Sequence, residues 1–340
     1  MADIKAFHAL RHTAAAGSPA ELTCPPYDII SDGERAEYLA RNPHNVIRLE
    51  LPKGEDPYGE AGRTLREWLA DGTLQCDDDA GIYIYEEEFL TGVDHGEKRA
   101  LKGIICLVRV EDFDAGVVLP HEETLSKAKQ DRFSLMQATN CNFSQIYSLY
   151  MDETGETRRR IDHLSSGTPR YEFSDGLVTH RLWIVNDAVA IEAFRSDFAA
   201  RRLYIADGHH RYETAINYRN YCRENAVWAP GSEFVMMMLV DMENPGLVVF
   251  PTHRLVRGLP DFSPEQVLAG SAAYFDAETL SDRGAVEPRL KADYDAGKKS
   301  FVFAAAQDGA LAYTLLTLRD PSVMAEFLPE KSEASRGLDV

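Results

Sequence analysis

The sequence predicts an α/β fold of mixed α+β type, and its 340 residues are enough for a large core and more than one part. Two observations carry this prediction. Short runs of apolar, β-prone residues recur along the chain, the longest at residues 234–240, and each has the length of a strand. Between several of these runs, apolar residues recur at helical spacing, as in residues 57–69.

Each predicted element follows from a local pattern. Alternating apolar and charged residues predict a strand at 46–51, and Ser31 with Glu34 forms a capping box that predicts a helix. The acidic segment 86–96 is predicted as a hairpin loop. The other strands are predicted at 4–10, 82–85, 101–110, up to Pro120, 146–150, 179–185, 203–206, 234–240 and 247–250. The other helices are predicted at 57–72, 189–198, after Gly208, from 263–264 and at 290–294.

The organisation along the chain suggests three parts. We expect an N-terminal α/β part at residues 1–100, packed on a core at 101–258 that holds the polar motifs described below. Residues 259–340 are expected to form a C-terminal α+β lobe, with a hairpin at 301–305 and 311–316.

Composition narrows the class of protein. The formal net charge is −19, from 36 basic and 55 acidic residues, which disfavours binding to nucleic acid or to an anionic membrane. Five widely spaced cysteines form no CxxC pair, so a disulfide framework and a zinc ribbon are not indicated. The first residues, MADIKAFHALRH, include no apolar segment typical of a signal peptide. We therefore expect a cytoplasmic protein with small-molecule partners.

The most informative stretch is RLYIADGHHRYETA, at residues 202–215, which predicts a strand, a tight turn and a helix. Gly208 would let backbone N–H groups approach an anion at the positive end of that helix. His209, His210 and Arg211 add further donors, and Asp207 places an acid beside them. One interpretation is a phosphate-binding site, and the other is a solvent-exposed turn without a function. A metal site is less favoured, since adjacent histidines point to different sides.

A second polar cluster follows the strand that ends at Pro120. His121, Glu122 and Glu123 crowd three titratable groups there, and repulsion between carboxylates can leave one of them suited to act as a general base. Lys129 and Arg132 follow on a predicted helix. The alternative is the solvated, charged start of a helix. HExxH spacing is absent, which excludes a zincin.

Two further stretches offer weaker candidates. Tyr27 and Asp28 follow two prolines, which stiffen the approach to the capped helix, although the same pattern suits a rigid connector. His253 follows the predicted strand at 247–250 and could line a pocket or lie on a surface loop.

Four motifs together resemble a known family: CPPYDIIS, LPHEET followed by KQDR, DGHHRYETA and PTHRL. The set resembles the bacterial and archaeal family DUF1015, which is similar to free serine kinases with a ParB/sulfiredoxin-like fold. The resemblance covers nearly the whole chain, in order. Members continue past the position of Val340, so the C-terminal lobe is expected to be shortened or incomplete here.

The resemblance implies transfer of a phosphoryl group to the hydroxyl of free L-serine, giving O-phosphoserine, or the reverse reaction. The donor would be pyrophosphate, ADP or ATP, with Mg²⁺. It assigns the base to Glu122 or Glu123, counts Asp207 as catalytic, and places the donor phosphates on the loop that Asp207 begins. On this resemblance, the phosphate ligands would be Gly208, His209, His210 and Arg211. We add Lys129 and Arg132 as candidates for further phosphate contacts. The weaker candidates for substrate binding are Tyr27, Asp28, His121, Asn142 and His253.

Two other functions stay open at this point. The chain could be a ParB-like nucleotide-binding regulator or adaptor without kinase activity. It could also be a metal-dependent phosphatase or hydrolase that uses His121, His209, His210 and Asp207. The donor, the direction of the reaction, the metal and the oligomeric state are not predicted by the sequence.

Overall fold

A computed structural model describes residues 1–91, 96–122, 126–249, 253–307 and 309–337. The chain forms two compact units, Met1–Val248 and Val249–Val340. Both contain helices and sheets, which confirms the mixed α/β class.

The first unit is built on one large sheet with helices packed against it. Its strands are β1 Ile4–Lys5, β2 Leu10–His12, β3 Leu74–Cys76, β4 Ile82–Leu90, β5 Lys98–Arg109, β6 Val118–Leu119, β7 Ile146–Tyr150, β8 Tyr171–Ser174, β9 Val178–Val185, β10 Leu203–Asp207 and β11 Phe234–Asp241. Its helices are α1 Pro19–Leu22, α2 Asp32–Arg41, α3 Ile47–Glu50, α4 Pro57–Ala70, α5 Ser126–Thr139, α6 Glu156–Leu164, α7 Ala188–Phe198 and α8 His209–Glu224.

The sheet has nine strands in the order β6-β10-β7-β11-β5-β4-β9-β8, with β1 paired to β5. It draws strands from both sides of residue 100. Two pairs are parallel, β6 with β10 and β7 with β11, whereas the other pairs are antiparallel. A separate ribbon joins β2 to β3. The mixed order matters for the site below, because parallel neighbours end at the same edge of the sheet.

The core lies between this sheet and its helices. Ile84 of β4 and Ile104 of β5 are fully buried, as are Phe194 and Phe198 of α7 and Tyr212 of α8. At α2, Ser31 accepts from the backbone N–H of Glu34, and the Glu34 carboxylate accepts from the Ser31 N–H, so the predicted capping box is confirmed.

The prediction of a strand at residues 46–51 is wrong, because the segment contains the short helix Ile47–Glu50. The reason is the fully buried Asn45. Its side-chain oxygen accepts from the first N–H of the helix at 3.0 Å, and its NH₂ donates to the carbonyls of Glu21 and Thr23 at 2.8 Å each. This Asx turn at Asn45, directly before the N-cap residue Val46, thus overrides a local pattern that suited a strand.

The predicted hairpin loop at 86–96 is also too long, since β4 continues to Leu90. Its acidic residues face basic partners across the sheet: Glu86 lies 3.1 Å from Lys102, and Glu88 lies 2.7 Å from Lys98. Two smaller corrections concern strands. Residues 4–10 split into β1 and the start of β2, and the described residues of 247–250 are not in a strand.

The second unit holds an antiparallel sheet in the order β12-β14-β13. Its elements are β12 Phe275–Leu280, β13 Ser300–Gln307, β14 Ala310–Leu318, α9 Pro264–Ser271, α10 Val286–Asp295, α11 Met324–Phe327 and α12 Glu333–Arg336. Ser263 caps α9, and β13 pairs with β14, so both predictions for this region are confirmed. Across the described residues of the two units, we find no helix with the length and apolar character needed to traverse a bilayer.

We expect Asn45→Ala to lower the free energy of unfolding by about 2–3 kcal/mol, because it removes two hydrogen bonds to the carbonyls of Glu21 and Thr23 and leaves the buried N–H of Ile47 without its partner. Chemical denaturation measures this. The control is Asn225→Ala, which removes one exposed amide bond to Tyr221 and is expected to cost less than about 1 kcal/mol. Equal losses in the two variants would contradict the role of the Asn45 side chain in fixing the start of α3.

Candidate functional site

The two polar motifs meet because the strands that precede them are parallel neighbours. Leu119 of β6 is paired with Tyr204 of β10, so both strands leave the sheet at the same edge. His121 and Glu122 follow β6, and the loop residue Gly208 follows β10. The ring Nδ1 of His121 lies 2.7 Å from the carbonyl oxygen of Ile205, and it donates to that oxygen. Residues far apart in the sequence therefore share one surface.

The loop after β10 has the strand, glycine and helix arrangement that the sequence predicts. Gly208 is left-handed, with φ +95°, and α8 begins directly after it. The first backbone N–H groups of α8 have no carbonyl partner within the helix and form its positive end. Arg211 turns back over the loop, ion-pairs with Asp207 and donates to the carbonyl of Gln145. A Cβ on Gly208 would lie 2.9 Å from Nε of Arg211, so any larger residue would require the arginine side chain to move.

His209 connects the two motifs. Its side chain is 1% exposed, and its Nε2 accepts from the backbone N–H of His121 at 3.3 Å. Its Nδ1 lies 3.0 Å from Oε1 of Glu122, although the two atoms lack the alignment of a hydrogen bond. Burial lowers the pKa of His209 below its ordinary value, while the Glu122 carboxylate opposes this change. A neutral His209 therefore carries its proton on Nδ1, facing the acid.

This trio is also the candidate position for a metal ion. One ligand atom from each of His121, Glu122 and His209 lies within 4.8 Å of the others. Two imidazole nitrogens and one carboxylate suit a transition metal better than Mg²⁺, which prefers oxygen. His121 is ready to ligate, because its Nδ1 is held by a carbonyl and its Nε2 stays available. His209 would offer Nδ1 only in the other tautomer, which gives up the bond from the His121 N–H.

The additional cations predicted to bind phosphate have other partners. Lys129 of α5 lies 2.6 Å from the Glu213 carboxylate of α8, and this pair joins the two helices. Arg132 is 7% exposed, ion-pairs with Asp131 and stacks on the ring of Tyr27 with its Cζ 3.9 Å from the ring centre. Neither contact places these cations on the Gly208 loop.

The remaining candidates are spread over several places. His210 is half-buried in the first turn of α8, and Asp28 is exposed beside Tyr27. Asn142 accepts from the backbone N–H at Met236 with its side-chain oxygen, 3.2 Å away. His253 belongs to the second unit, and Glu123 lies outside the described residues.

A buried carboxyl that the sequence did not single out lies near the loop. Glu50, at the end of α3, is 5% exposed and lines a small cavity together with Arg132, Ser144 and Arg211. Among the described residues, its Oε1 has no hydrogen-bond partner. Burial raises the pKa of Glu50, whereas a hydrogen bond from Ser144 and the charge of Arg132 oppose the rise. The predicted strand made Glu50 one of several alternating charged residues, so nothing marked it.

Comparison with known proteins decides the family. The family model described as "Protein of unknown function (DUF1015)" matches residues 4–340. The chain belongs to the DUF1015 family. This confirms the family prediction, whereas the similarity to serine kinases and the ParB-like fold remain predictions. No curated protein and no solved structure matches the chain.

In this DUF1015 protein we expect Gly208→Ala to lower the free energy of unfolding by about 2–3 kcal/mol. The left-handed backbone accounts for about 1–2 kcal/mol, and displacement of Arg211 from its partners for the rest. Gly176→Ala is the control, because Gly176 has φ +100° and open space around its Cβ position. Chemical denaturation compares the two, and equal losses would show that Arg211 does not need the room at Gly208.

We expect Glu50→Gln to stabilise the protein at high pH. A folded-state pKa above the unfolded one means that ionising Glu50 disfavours folding, so the wild type loses stability as pH rises through the folded pKa. The variant lacks this loss, and the difference in melting temperature should vanish below the unfolded pKa of Glu, at about pH 4. Thermal melts from pH 4 to 9 test this; a Glu50→Gln variant that is less stable at pH 9 would contradict it.

Proposed function

We propose that this protein transfers a phosphoryl group from pyrophosphate or a nucleotide to the hydroxyl of free L-serine, on a core of ParB/sulfiredoxin-like fold. One observation carries the proposal: the exposed acid Glu122 lies beside the loop formed by Asp207 and Gly208 at the start of α8. Phosphoryl transfer needs donors around the phosphates and a base near the nucleophile, and this edge of the sheet supplies both. The net charge of −19 favours small-molecule substrates over nucleic acid.

In this proposal, the serine hydroxyl oxygen attacks the terminal phosphorus of the donor. The bond from that phosphorus to the bridging oxygen breaks, and inorganic phosphate or the shortened nucleotide leaves with the electron pair. Glu122 takes the hydroxyl proton; its side chain is 54% exposed, so a substrate can approach it. The backbone N–H groups at the start of α8 stabilise the charge on the transferred group.

Arg211 is the cation best placed for the donor. It is held by Asp207 and by the carbonyl of Gln145, so its planar group already faces the loop. A phosphate that binds there competes with Asp207, whose side chain is 63% exposed and free to turn away. Asp207 and the donor oxygens could then hold Mg²⁺, which would neutralise phosphate charge.

A second candidate function is favoured by the trio of His121, Glu122 and His209. If these residues hold a transition metal, the same edge could hydrolyse a phosphate ester with metal-activated water. A nucleotide-binding regulator is the third possibility, and it requires only the loop.

The test is formation of O-phosphoserine, followed by mass spectrometry, from L-serine and Mg²⁺ with pyrophosphate, ADP or ATP offered separately. We expect product with one of these donors. Glu122→Gln should reduce the rate by about 10²- to 10⁴-fold, the range for loss of a general base. Glu123→Gln is measured alongside, because either acid of the motif can be the base. Glu153→Gln, at an exposed glutamate elsewhere, is the control and should leave the rate unchanged.

Other outcomes separate the alternatives. Hydrolysis of O-phosphoserine that depends on Mn²⁺ or Zn²⁺, without transfer in either direction, would favour the hydrolase. Binding of a nucleotide without any product would favour the regulator. Equal rates for Glu122→Gln, Glu123→Gln and the wild type would remove the proposed base.

A further inference from the structure

The cavity beside Arg211 contains a buried acid with one unsatisfied carboxylate oxygen. It has a volume of about 40 Å³ and is lined by Glu50, Arg132, Asn142, Ser144, Arg211 and Thr214, among others. Arg211 also pairs with Asp207, so the cavity and the Gly208 loop share one guanidinium group. A ligand in this cavity would therefore lie next to the loop proposed to hold the donor.

Glu50 is the unusual member of this set. It is 5% exposed, yet its Oε1 has no hydrogen-bond partner in the part of the chain that the structure describes. A buried carboxylate oxygen without a partner is strongly disfavoured. The two nearby guanidinium groups do not compensate it with an ion pair, because Arg132 is paired with Asp131 and Arg211 with Asp207. Arg132 does reach Glu50, but at the backbone carbonyl, 2.8 Å away.

These features indicate the chemistry of the missing partner. A cationic N–H donor would satisfy the free oxygen and the negative charge together. The volume has room for a few groups of the size of a water molecule, each needing about 10–15 Å³, so it suits an ammonium group and not a nucleotide. The arginines that line the same cavity favour a carboxylate close by. A group with both charges is the zwitterionic end of an α-amino acid.

We infer that Glu50 binds the α-ammonium group of an amino acid whose carboxylate lies toward Arg132 and Arg211. The inference rests on the proposed function for the identity of the ligand, since it supplies the subsite for the acceptor. Arg211 would then contact both substrates and fix the amino acid beside the donor. Glu50 is a binding residue here and takes no part in the proton transfer assigned to Glu122.

The experiment measures binding by calorimetry, without turnover. The probes are L-serine, L-threonine and L-homoserine, and 3-hydroxypropionate, which keeps the hydroxyl and carboxylate of serine but lacks the ammonium group. Glu50→Gln should weaken binding of L-serine by roughly 10- to 100-fold, the effect of losing one hydrogen bond between charged groups. The affinity for 3-hydroxypropionate should be the same in Glu50→Gln as in the wild type. Glu37→Gln, at an exposed glutamate of α2, is the control and should bind L-serine like the wild type.

The selectivity separates recognition from a structural role. If Glu50 only supports the fold, its substitution weakens the binding of L-serine and of 3-hydroxypropionate equally, and the inference is overturned. Unchanged L-serine binding in Glu50→Gln overturns it too, as does a wild type that binds none of the amino acids. Should Glu50→Gln not fold, Glu50→Asp replaces it, with the same expected selectivity because the shorter side chain withdraws the carboxylate.

Failure of the proposed amino-acid subsite can be distinguished from failure of the proposed kinase activity. Amino-acid binding that depends on Glu50, without O-phosphoserine from any donor, supports the subsite and contradicts the proposed function. Production of O-phosphoserine with an unchanged Michaelis constant for L-serine in Glu50→Gln supports the kinase and contradicts the subsite.

Discussion

The parallel pairing of β6 with β10 is the constraint on which the candidate site depends. β6 has only two residues, and its register brings Leu119 beside Tyr204. Two contacts extend this short pairing beyond the strands: the His121 ring donates to Ile205, and the His121 backbone N–H donates to the buried ring of His209. Polar groups thus hold together two chain segments that are 88 residues apart in the sequence. Without this pairing, Glu122 would have no fixed position relative to the Gly208 loop.

The sequence was sufficient where function and local geometry depend on neighbouring residues. The strand, glycine and helix around Gly208 follow from turn chemistry and apolar spacing, and the capping box of Ser31 and Glu34 follows from a short motif. It was insufficient where distant residues decide. Residues 46–51 show the alternating pattern of a strand. However, Asn45 binds carbonyls of an earlier segment, and the residues that follow it form the helix α3. A side chain that bonds across some twenty residues leaves no periodic signal.

The partners of basic side chains are also decided by residues that are distant in the sequence. The position of Lys129 after the acidic motif predicts a phosphate ligand, but its partner Glu213 comes from another helix, 84 residues away. Arg132 is occupied by Asp131, Tyr27 and the Glu50 carbonyl. In a chain with an excess of acidic residues, a lysine or arginine readily forms an ion pair with a nearby carboxylate. Basic residues in the sequence therefore indicate a phosphate site only when the backbone around them is also shaped for one, as at Gly208.

Glu122 and Glu50 illustrate how burial separates the roles of two acids that composition alone cannot tell apart. Glu122 is exposed at the sheet edge, where it can exchange a proton with a substrate or solvent. Glu50 is enclosed, and a buried carboxyl that must ionise needs a partner with the opposite charge. In the proposed reaction the acceptor amino acid carries a group that suits each acid. Its hydroxyl needs a base, which is Glu122, and its ammonium group needs a fixed anion, which is Glu50. An acid at each end would orient the amino acid, and Arg211 between them would set its distance from the donor. Such an arrangement requires the loop and the β6–β10 edge to keep their relative positions, and the contacts of His121 with Ile205 and His209 join these two parts directly.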